Sequence, residues 1–412
     1  MRFIFITNFY PPLHLGGYEL WCQEVAERLR ESGHEILVLT SRYHKEYLKQ
    51  SEPDWVHRDL YLEMDLGSGE NALLFFTARK KRIETSLRLL SQHINSFAPD
   101  GILIWGMWNL PRILSTQAEA IMPGKVAYYF GDYWPTLPNQ FENFWNESPR
   151  SLVSFIPKNL LRIVARRLLA RETRPEPTFK YGFFCSEFLQ KELEDKGLSW
   201  ENVKVIYGSI DTSLYTKNDG NSVDKSNNKD LSLLYVGRLQ SDKGVHTAIE
   251  AVSMLVHDHK IESICLQIVG SGDLQYLSFL QDLVQQNGLE PYVHFKGSYP
   301  KEKLPEIYEQ FDIFLFTSIW QEPFGRVIVE AMSSGCAVIG TQTGGAAEII
   351  KDGTTGLTYQ PGNATELTQQ IIKLSQSPLL KQQLIENGKQ AAVEMFDTTR
   401  MVSEIEAALL EI

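Results

Sequence analysis

The stretch RFIFITNFYPPLHLGGYELWCQEVAERLRESGHEILVLT, residues 2–40, decides the fold. It opens with a short apolar run, RFIFIT, which predicts a buried strand, and continues into a loop with two prolines and two glycines. Leu20, Val25 and Leu29 then recur at near-helical spacing, and Gly33 ends this helix before a second apolar strand, HEILVLT. Strand, helix and strand in this order form a βαβ unit, which indicates a parallel sheet.

The same alternation continues through the first half of the chain. A helix is predicted over residues 79–97, where apolar side chains share one face. It precedes the apolar strands GILIWG, residues 101–106, and KVAYYF, residues 125–130. Strands that are continuously apolar are buried on both faces, so we expect a doubly wound α/β domain.

A second α/β domain is predicted after a polar segment. Residues 216–230 hold almost no large apolar side chain, which indicates a flexible linker. The alternation then restarts with LSLLYVG, GVHTAIEAVSMLV, ICLQIVG, YLSFLQDLVQQNG, YVHFKG, DIFLFTS, RVIVEAMSSG and AVIGT. The predicted parts are an N-terminal Rossmann-like domain, 1–212, with an insertion at 137–178 and a returning C-terminal helix, 395–412; a linker, 213–230; and a second Rossmann-like domain, 231–394. Two such domains facing a cleft would present the carboxyl ends of both sheets to one ligand.

Composition limits the classes of function. Of the 412 residues, 43% are hydrophobic and 22% charged, as in ordinary globular proteins, and the formal net charge of −11 disfavours nucleic acid as a partner. The four cysteines are far apart, and no stretch approaches the ~20 apolar residues that cross a bilayer, so we expect a cytoplasmic protein without disulfides. No D-x-D occurs, and His257 and His259, the only histidines close in sequence, fit a surface helix end better than a metal site.

Two cations follow the first strand of the second domain. In YVGRLQSDKGVHTAIEA, Arg238 and Lys243 lie between a strand and a helix, whose amino terminus adds a partial positive charge. This arrangement suits a diphosphate, whereas a solvated surface loop is the other interpretation. The later segment IVGSGDL lacks the third glycine of a dinucleotide site, so tight turns explain its two glycines better.

The segment EPFGRVIVEAM, residues 322–332, contains two carboxylates around one helix start. Gly325 is expected to begin a helix whose N–H groups point at the cleft. Glu322 would lie at the lip of the cleft, and Glu330, about one and a half turns into the helix, would reach the same opening. Carboxylates placed in this way could bind hydroxyls of two sugars on either side of a diphosphate. Alternatively, Glu330 is an exposed helix residue; if it is buried, it needs a polar partner.

Nine segments in a fixed order carry a resemblance over nearly the whole chain. They are PPLHLGG, SGHEILVLT, CSEFLQKEL, VIYGSID, VGRLQSDKGV, IVGSGDL, VHFKGSYP, EPFGRVIVEAM and TGGAAEIIKDGTTGL. In these segments the chain resembles the family-4 retaining glycosyltransferases (glycosyl transferases group 1) of the GT-B fold. The resemblance implies transfer of a sugar from a nucleotide-sugar, a UDP- or GDP-sugar, with retention of anomeric configuration and without a metal or other cofactor. The acceptor would be a hydroxyl of a glycan, a lipid-linked molecule or a small molecule.

The resemblance also implies roles for single residues. Arg238 and Lys243 match the pair that holds the donor diphosphate, and Glu322 matches the acid that contacts the transferred sugar. Glu330 matches the acid that contacts the nucleotide ribose. The other implied donor-binding residues are Gly16 and Gly17 in the N-terminal glycine loop, Phe324 and Gly325 beside Glu322, and Gly297 and Tyr299 near the nucleobase. In such enzymes, cations and helix amino termini offset the charge of the leaving group.

One segment departs from the family pattern. In YYFGDYWP, Gly131 stands where the family commonly has a histidine, whereas Asp132, Tyr133 and Trp134 keep the pattern and are assigned to the acceptor side. The missing imidazole leaves three consequences open: a changed donor, a changed acceptor or reduced activity.

Two basic segments could contact a membrane. PKNLLRIVARRLLARETR, residues 157–174, places Lys158, Arg162 and Arg166 on one helix face opposite several apolar residues. ARKKR, residues 78–82, begins another helix. Peripheral contact at the inner face of a membrane would suit a lipid-linked acceptor, while a solvated basic face is the simpler alternative.

Other functions on this fold stay open. The joint presence of Arg238, Lys243, Glu322 and Glu330 argues against a sugar-nucleotide epimerase, and the lack of an evident pyridoxal-phosphate lysine site argues against a glycan phosphorylase. A non-catalytic protein that binds a nucleotide-sugar or a glycan is a further alternative, favoured only by Gly131. Turnover of a donor to free nucleotide would separate these functions.

Overall fold

The computed structural model describes six stretches of the chain. They are residues 1–45, 52–67, 70–147, 152–172, 176–216 and 231–412, with side chains described from residue 158 onward in the helix that begins at 152. The predicted linker, 213–230, therefore lies largely outside the described residues. The chain forms two compact units: the first comprises Met1–Cys185, Gln190–Ile206 and Val402–Ile412, and the second comprises Ser186–Leu189 and Tyr207–Met401.

The first unit is built on a seven-stranded sheet. Its strands are β1 (Arg2–Thr7), β2 (Glu35–Ser41), β3 (Val56–Leu60), β4 (Gly101–Gly106), β5 (Val126–Phe130), β6 (Tyr181–Phe184) and β7 (Asn202–Val205). Its helices are α1 (Gly17–Glu31), α2 (Asn71–Thr77), α3 (Arg79–Phe97), α4 (Ile113–Ile121), α5 (Gln140–Asn146) and α6 (Leu152–Ala170), followed by α7 (Glu187–Asp195), which the two units share.

All neighbouring strands of this sheet are parallel, in the order β3-β2-β1-β4-β5-β6-β7. The predicted βαβ unit is confirmed, and β1, α3 and β4 have the predicted bounds. The central strands β4 and β5 are buried along their whole length, which is why their sequences are continuously apolar. Chain order reverses between β1 and β4, so the loops that follow these two strands diverge and leave a crevice for a ligand.

The second unit repeats this design with six strands. Its strands are β8 (Leu231–Val236), β9 (Ile264–Val269), β10 (Val293–Gly297), β11 (Ile313–Phe316), β12 (Ala337–Thr341) and β13 (Leu357–Tyr359). Its helices are α8 (Val245–His257), α9 (Leu274–Gln286), α10 (Leu304–Tyr308), α11 (Arg326–Ser333), α12 (Ala346–Ile349), α13 (Ala364–Ser375) and α14 (Pro378–Phe396). The strands are parallel in the order β10-β9-β8-β11-β12-β13, so chain order reverses between β8 and β11.

The last helix, α15 (Thr398–Leu410), begins in the second unit and passes into the first at Val402. Within the first unit, Glu406 accepts a hydrogen bond of 2.7 Å from His34 Nε2. Lys204 Nζ lies 2.6 Å from the carboxylate of Glu411. The end of the chain is thus joined to the first unit by two polar contacts.

None of the helices in the described part of the chain is sufficiently long and apolar to span a membrane.

Candidate active site

The strongest cluster of the predicted residues lies at the point in the second unit where chain order reverses. Lys243 ends the loop after β8, and Glu322 lies in the loop after β11. Backbone hydrogen bonds hold these loops together: the N–H groups of Ile319 and Trp320 both donate to the carbonyl oxygen of Asp242, at 2.9 Å and 3.2 Å. The topology therefore brings together two charged residues that are 79 positions apart in sequence.

Lys243 and Glu322 form a buried ion pair between Nζ and Oε1. Ser318 Oγ donates to the same carboxylate oxygen at 2.9 Å, and the Lys243 ammonium lies 4.5 Å from the centre of the Trp320 ring. Both charged side chains are largely shielded, with exposed fractions of 10% and 14%. A shielded pair of this kind interacts more strongly than it would in water, so it holds the ammonium in one place.

Glycines frame this ion pair because the backbone leaves no room for a side chain. Gly244, which precedes α8, has a φ of 63°, and a Cβ there would lie 2.2 Å from the carbonyl oxygen of Thr317. Gly325 begins α11 as predicted, with a φ of 114°. Both angles fall in the left-handed region that favours glycine. The amino termini of α8 and α11, which carry a partial positive charge, therefore lie at the same edge of the sheet as Lys243.

The loop after β12 supports Glu322 from the other side. The Gly345 N–H donates to the Glu322 carbonyl oxygen at 2.7 Å. A Cβ at Gly344 would lie 2.2 Å from that same oxygen, and one at Gly345 would lie 2.3 Å from the Pro323 oxygen. The two glycines of the TGG segment are thus needed for close backbone contact, which fixes the conformation around Glu322.

Arg238 is also in the loop after β8, but its side chain is exposed. Its carbonyl oxygen accepts a hydrogen bond of 3.0 Å from the buried Tyr235 hydroxyl, so the backbone at this position is held while the guanidinium extends outward. The structure thus places Arg238 on the same loop as Lys243 but outside the buried cluster.

Glu330 is buried on α11, with only 4% of the residue exposed, so the interpretation as an exposed helix residue was wrong. The polar partners that burial requires are present: Tyr308 donates to Oε2 at 3.1 Å, and Arg326 Nε lies 3.3 Å from Oε1. Each carboxylate oxygen can accept more than one hydrogen bond, so these contacts leave acceptor capacity for a hydroxyl. The two glutamates therefore have different surroundings, one paired to Lys243 and the other to Arg326 and Tyr308.

The remaining predicted donor residues differ in what their side chains can reach. Phe324 is buried, and its ring centre lies 5.6 Å from that of Phe396, so its side chain packs in the core. Gly297 has a φ of 69° and open space where a Cβ would be, and its carbonyl oxygen accepts the N–H of Gly270 at 2.8 Å. Tyr299 is partly exposed two residues later. Gly297 thus pairs with the end of β9, and Tyr299 follows it in the same unit as Lys243.

In the first unit, Gly16 and Gly17 form the start of α1, with Gly16 as its N-cap. The Gly16 N–H donates to Glu19 Oε2 at 3.0 Å, which is only the glutamate half of a capping box, because glycine has no side chain that could make the reciprocal bond. Glu19 is buried, and this burial together with the charge of Asp132 raises the pKa of Glu19 to about 7. Sequence reasoning missed Glu19, although an acid three residues after the N-cap of a glycine loop was a visible signal.

Asp132 follows β5, and desolvation raises the pKa of its carboxyl group to about 6. The backbone N–H of Trp134 donates to Asp132 Oδ1 at 3.1 Å, and this contact and the charge of Arg112 oppose the rise. Tyr133 and Trp134 themselves are buried. The first unit therefore contains two interacting carboxyl groups, Glu19 and Asp132, at the edge of the sheet where β1 and β5 end.

Packing explains why a glycine stands at position 131. A Cβ built on Gly131 would lie 2.5 Å from two ring carbons of Tyr18. The Tyr18 hydroxyl lies against the carbonyl oxygens of Trp105 and Tyr129, and Trp105 Nε1 donates back to the Tyr18 carbonyl at 2.9 Å. Tyr18 thus occupies the volume that a side chain at position 131 would need, so the glycine is coupled to this tyrosine.

The first unit also contains a cavity of about 400 Å³ beside the predicted acceptor residues. Its walls include Trp134, Arg79 and Arg112 together with Glu63 and Glu142. The indole Nε1 of Trp134 is buried without a hydrogen-bond partner among the described residues. The cavity therefore combines an aromatic wall with charges of both signs.

Arginines of both basic segments bond to other residues of the protein, so less of their charge is free for a membrane than the sequence predicts. Arg79 pairs with Glu172 through two contacts of 2.6 Å and 2.7 Å, so part of the 78–82 cluster is neutralised. On α6, Arg166 Nε donates to Asn146 Oδ1 at 3.0 Å, and Arg162 donates to the Asn146 carbonyl at 3.1 Å. The exposed apolar residues of this helix are Leu160, Leu161, Ile163, Val164 and Leu168.

Comparison with known proteins gives a family for part of the chain and similar proteins for nearly all of it. The model of the glycosyl transferases group 1 family matches residues 219–391. An uncharacterized glycosyltransferase of Methanocaldococcus jannaschii is 24% identical over 98% of this chain and 96% of its own length. N-acetyl-alpha-D-glucosaminyl L-malate synthase of Bacillus anthracis is 27% identical over 52% of this chain and 54% of its own length.

Solved structures with the same fold cover the whole chain. Anabaena HepE, in complex with UDP-glucose, has a TM-score of 0.70 at 22% identity, with both chains covered completely. Sucrose-phosphate synthase of Thermosynechococcus elongatus has a TM-score of 0.74 at 17% identity over 100% of this chain and 98% of its own. The chain is thus a glycosyltransferase with the GT-B fold. The family match covers residues 219–391, the part of the chain that is similar to glycosyl transferases group 1.

Proposed function

We propose that this glycosyltransferase transfers a sugar from a nucleoside-diphosphate sugar to an acceptor hydroxyl, with retention of anomeric configuration and without a bound metal. The bond between the anomeric carbon and the β-phosphate oxygen breaks, and the acceptor oxygen forms the new bond to that carbon. The hydroxyl proton leaves with the nucleoside diphosphate or the solvent. Retention and metal independence come from the family resemblance, and the observations below support the donor site.

The buried pair of Lys243 and Glu322 is the observation that carries the proposal. An ammonium group has three N–H donors, so Lys243 can keep its contact to Glu322 while it donates to a phosphate oxygen. The amino termini of α8 and α11 add positive potential near this ammonium. The negative charge that develops on the departing diphosphate would therefore be stabilised by groups that are already in position.

The two glutamates would hold the two sugars of the donor. Glu322, oriented by Lys243 and Ser318, would accept hydrogen bonds from hydroxyls of the transferred sugar. Glu330 would accept a ribose hydroxyl with the acceptor capacity that Tyr308 and Arg326 leave. Arg238, being exposed on the loop of Lys243, would approach the diphosphate from the solvent side. UDP is the first nucleotide to test because the similar HepE structure is a complex with UDP-glucose.

Calorimetric binding of UDP and GDP, with a chelator present, tests the donor site. We expect one of them to bind the wild-type protein, and Glu330→Gln to weaken binding by about 1 to 3 kcal/mol, the usual contribution of a charged hydrogen bond. Gln is preferred to Ala because it keeps an acceptor for the buried Tyr308 hydroxyl. Glu290→Gln, at an exposed position of the same unit, is the matched control. Equal affinity in Glu330→Gln and the wild type would remove Glu330 from the site.

Turnover of the donor tests the roles of Lys243 and Glu322. We expect Lys243→Met to lower kcat by about 10²- to 10³-fold, as happens when one group that stabilises the transition state is removed. Lys373→Met, at an exposed position on α13, should leave kcat unchanged. A product with inverted configuration, seen by NMR, would refute retention. Loss of turnover in chelator, while circular dichroism shows that the protein stays folded, would refute metal independence. Nucleotide binding without any turnover would favour the non-catalytic alternative for this chain.

The acceptor would be bound by the first unit, around Asp132, Tyr133 and Trp134. Asp132 offers a carboxylate to a hydroxyl, and the aromatic wall of the neighbouring cavity suits a sugar ring or an apolar chain. A lipid-linked acceptor would agree with peripheral membrane contact through α6, whose apolar side chains are exposed while its arginines bond to Asn146. The surface of α6 that meets lipid would thus be the apolar one rather than the basic one.

Co-sedimentation with vesicles of anionic lipid tests this contact. In the test variant, Leu160, with 66% of its surface exposed, and Val164 are both replaced by Asn. Binding of this double variant to vesicles should fall severalfold. Leu379→Asn, at an even more exposed apolar position on α14, is the control. Equal sedimentation of wild type, double variant and control would exclude α6 as the contact.

A further inference from the structure

Two histidines and an aspartate converge on the outer strand of the first sheet. His57 and Asp59 lie on β3, which is the edge strand, and they alternate with the buried residues Val56, Arg58 and Leu60. Because side chains in a strand alternate between faces, His57 and Asp59 share one face. His93 comes from α3, the helix that packs on this face and is joined to the chain after β3 by a hydrogen bond from the Tyr61 N–H to Ser86 Oγ.

The distances between these three side chains are short. His93 Nε2 lies 2.9 Å and His57 Nδ1 lies 3.9 Å from the same oxygen, Asp59 Oδ2. The two imidazole rings have their centres 4.7 Å apart. One nitrogen from each ring and one carboxylate oxygen all lie within 4.8 Å of one another. In a tetrahedral zinc site, bond lengths of about 2.0 to 2.1 Å place the ligand atoms about 3.3 Å apart, so a small rotation of His57 would close the set.

We infer that His57, Asp59 and His93 form a binding site for a divalent transition-metal ion of the zinc type. Two imidazole nitrogens and one carboxylate oxygen are ligands that zinc, cobalt and nickel accept, whereas magnesium and calcium prefer oxygen alone. Three protein ligands leave a fourth position for water. This site differs from the transfer chemistry proposed above, in which no metal takes part.

The sequence alone indicated no metal site. His257 and His259 are the only histidines close in sequence, but His257 Nε2 is hydrogen-bonded to the Asn287 carbonyl oxygen at 2.8 Å. The fold instead brings together His57 and His93, which are 36 positions apart. A metal bound there would join the edge strand β3 to helix α3, and would therefore stabilise the first unit by mass action.

One neighbouring charge limits the affinity. The Lys45 ammonium donates to the Arg58 carbonyl oxygen at 3.4 Å, and its positive charge acts on both His57 and Asp59. A cation beside the site repels a metal ion. Replacing Lys45 by Met should thus tighten metal binding at this position.

Titration of the full-length, chelator-treated protein with Zn²⁺ and Co²⁺ tests the inference. We expect one ion per chain by calorimetry, and with Co²⁺ the intense visible absorption of a four-coordinate ion. His57→Ala and His93→Ala should each lower the affinity at least about tenfold, because even the loss of an outer-sphere contact to a ligand has an effect of 10- to 100-fold. The control is the double variant His257→Ala, His259→Ala, which should bind like the wild type. Lys45→Met should bind more tightly.

Circular dichroism on each variant separates loss of a ligand from loss of folding, and His93→Gln provides a second, milder change at the helix position. Zinc should raise the Tm of the wild type and of the control variant but not of His57→Ala. Equal stoichiometry and affinity in the wild type and in His57→Ala and His93→Gln, or loss of binding only in the control, would overturn the inference. Metal binding at this site is independent of the donor site, so its failure leaves the proposed function unaffected.

Discussion

Replacing Glu19 by Gln should change how the stability of the first unit depends on pH. Glu19 is buried at the start of α1, and its pKa is raised from 4.5 to about 7 by desolvation and by the charge of Asp132. An acid whose folded pKa lies above its unfolded value favours the folded state only while it is protonated. This contribution is complete below about pH 4.5 and is lost as the pH rises through 7.

The size of the effect follows from the two pKa values. Proton binding is linked to folding because the pKa of Glu19 is 4.5 in the unfolded chain and about 7 in the folded protein. This difference lowers the free energy of unfolding by about 2.5 kcal/mol between pH 5 and pH 8. Gln keeps the carbonyl oxygen that can accept the Gly16 N–H, but it does not ionise. Relative to the wild type, Glu19→Gln should therefore gain about 2.5 kcal/mol over this interval.

Urea unfolding followed by tryptophan fluorescence is a suitable assay. Seven of the eight tryptophans lie in the first unit and only Trp320 lies in the second, so the signal reports mainly on the unit that contains Glu19. The measurement compares wild type and Glu19→Gln at pH 5, 6, 7 and 8. Glu27→Gln, an exposed position on the same helix, is the control and should follow the wild type.

Parallel curves for the wild type and Glu19→Gln from pH 5 to pH 8 would refute the reasoning. They would mean that Glu19 titrates near its ordinary pKa and that burial at the glycine loop does not disfavour its charge. A further variant, Asp132→Asn, separates the two causes, because removing that charge should lower the pKa of Glu19 and reduce the slope of the pH dependence.

Two other predictions concern glycines. Gly131→Ala should lower the Tm and destabilise the first unit by about 1 to 3 kcal/mol, because its Cβ would lie 2.5 Å from the Tyr18 ring. In a protein that also carries Tyr18→Ala, the change at position 131 should be nearly neutral. Equal losses of stability with and without Tyr18→Ala would contradict the coupling. Gly244→Ala should abolish donor turnover and lower the Tm, since its Cβ would lie 2.2 Å from a backbone oxygen in the loop after β11. The control is Gly288→Ala, where the φ is 61° and the space around the Cβ is open. This control should lower the Tm only slightly and leave turnover intact.

Much of the fold was predictable because it depends on local patterns. The runs RFIFIT, GILIWG and AVIGT are apolar without interruption, and they form β1, β4 and β12 with the predicted bounds. Elements with less regular patterns were not predicted: β3 has the sequence VHRDL, with three polar residues in five, and β13 contains only three residues. The polar residues of β3 are paired rather than solvated: Arg58 bonds to Glu52 and to the Tyr10 carbonyl oxygen, and Asp59 bonds to His93, and no apolar pattern marks such a strand.

The sequence singled out the residues that we propose to bind the donor, but it did not indicate their contacts. EPFGRVIVEAM and GRLQSDKG identify Glu322 and Lys243, and the fold brings them together because their loops follow β11 and β8, which are adjacent strands. That Arg238 is exposed while Glu330 is buried against Tyr308 depends on α10 and on the direction of α11, which are features of packing.

The amino-acid sequence by itself determined the two parallel α/β units, the more apolar of their strands, and the charged residues that we propose to bind the donor, because apolar periodicity and motif spacing act over short distances along the chain. Only the tertiary structure decided that Tyr18 fills the space beside Gly131, that Glu19 interacts with Asp132, and that His57 and Asp59 meet His93. These contacts join residues from 34 to 113 positions apart. Their geometry arises when strands pair and helices pack against them, so no local pattern in the sequence contains it.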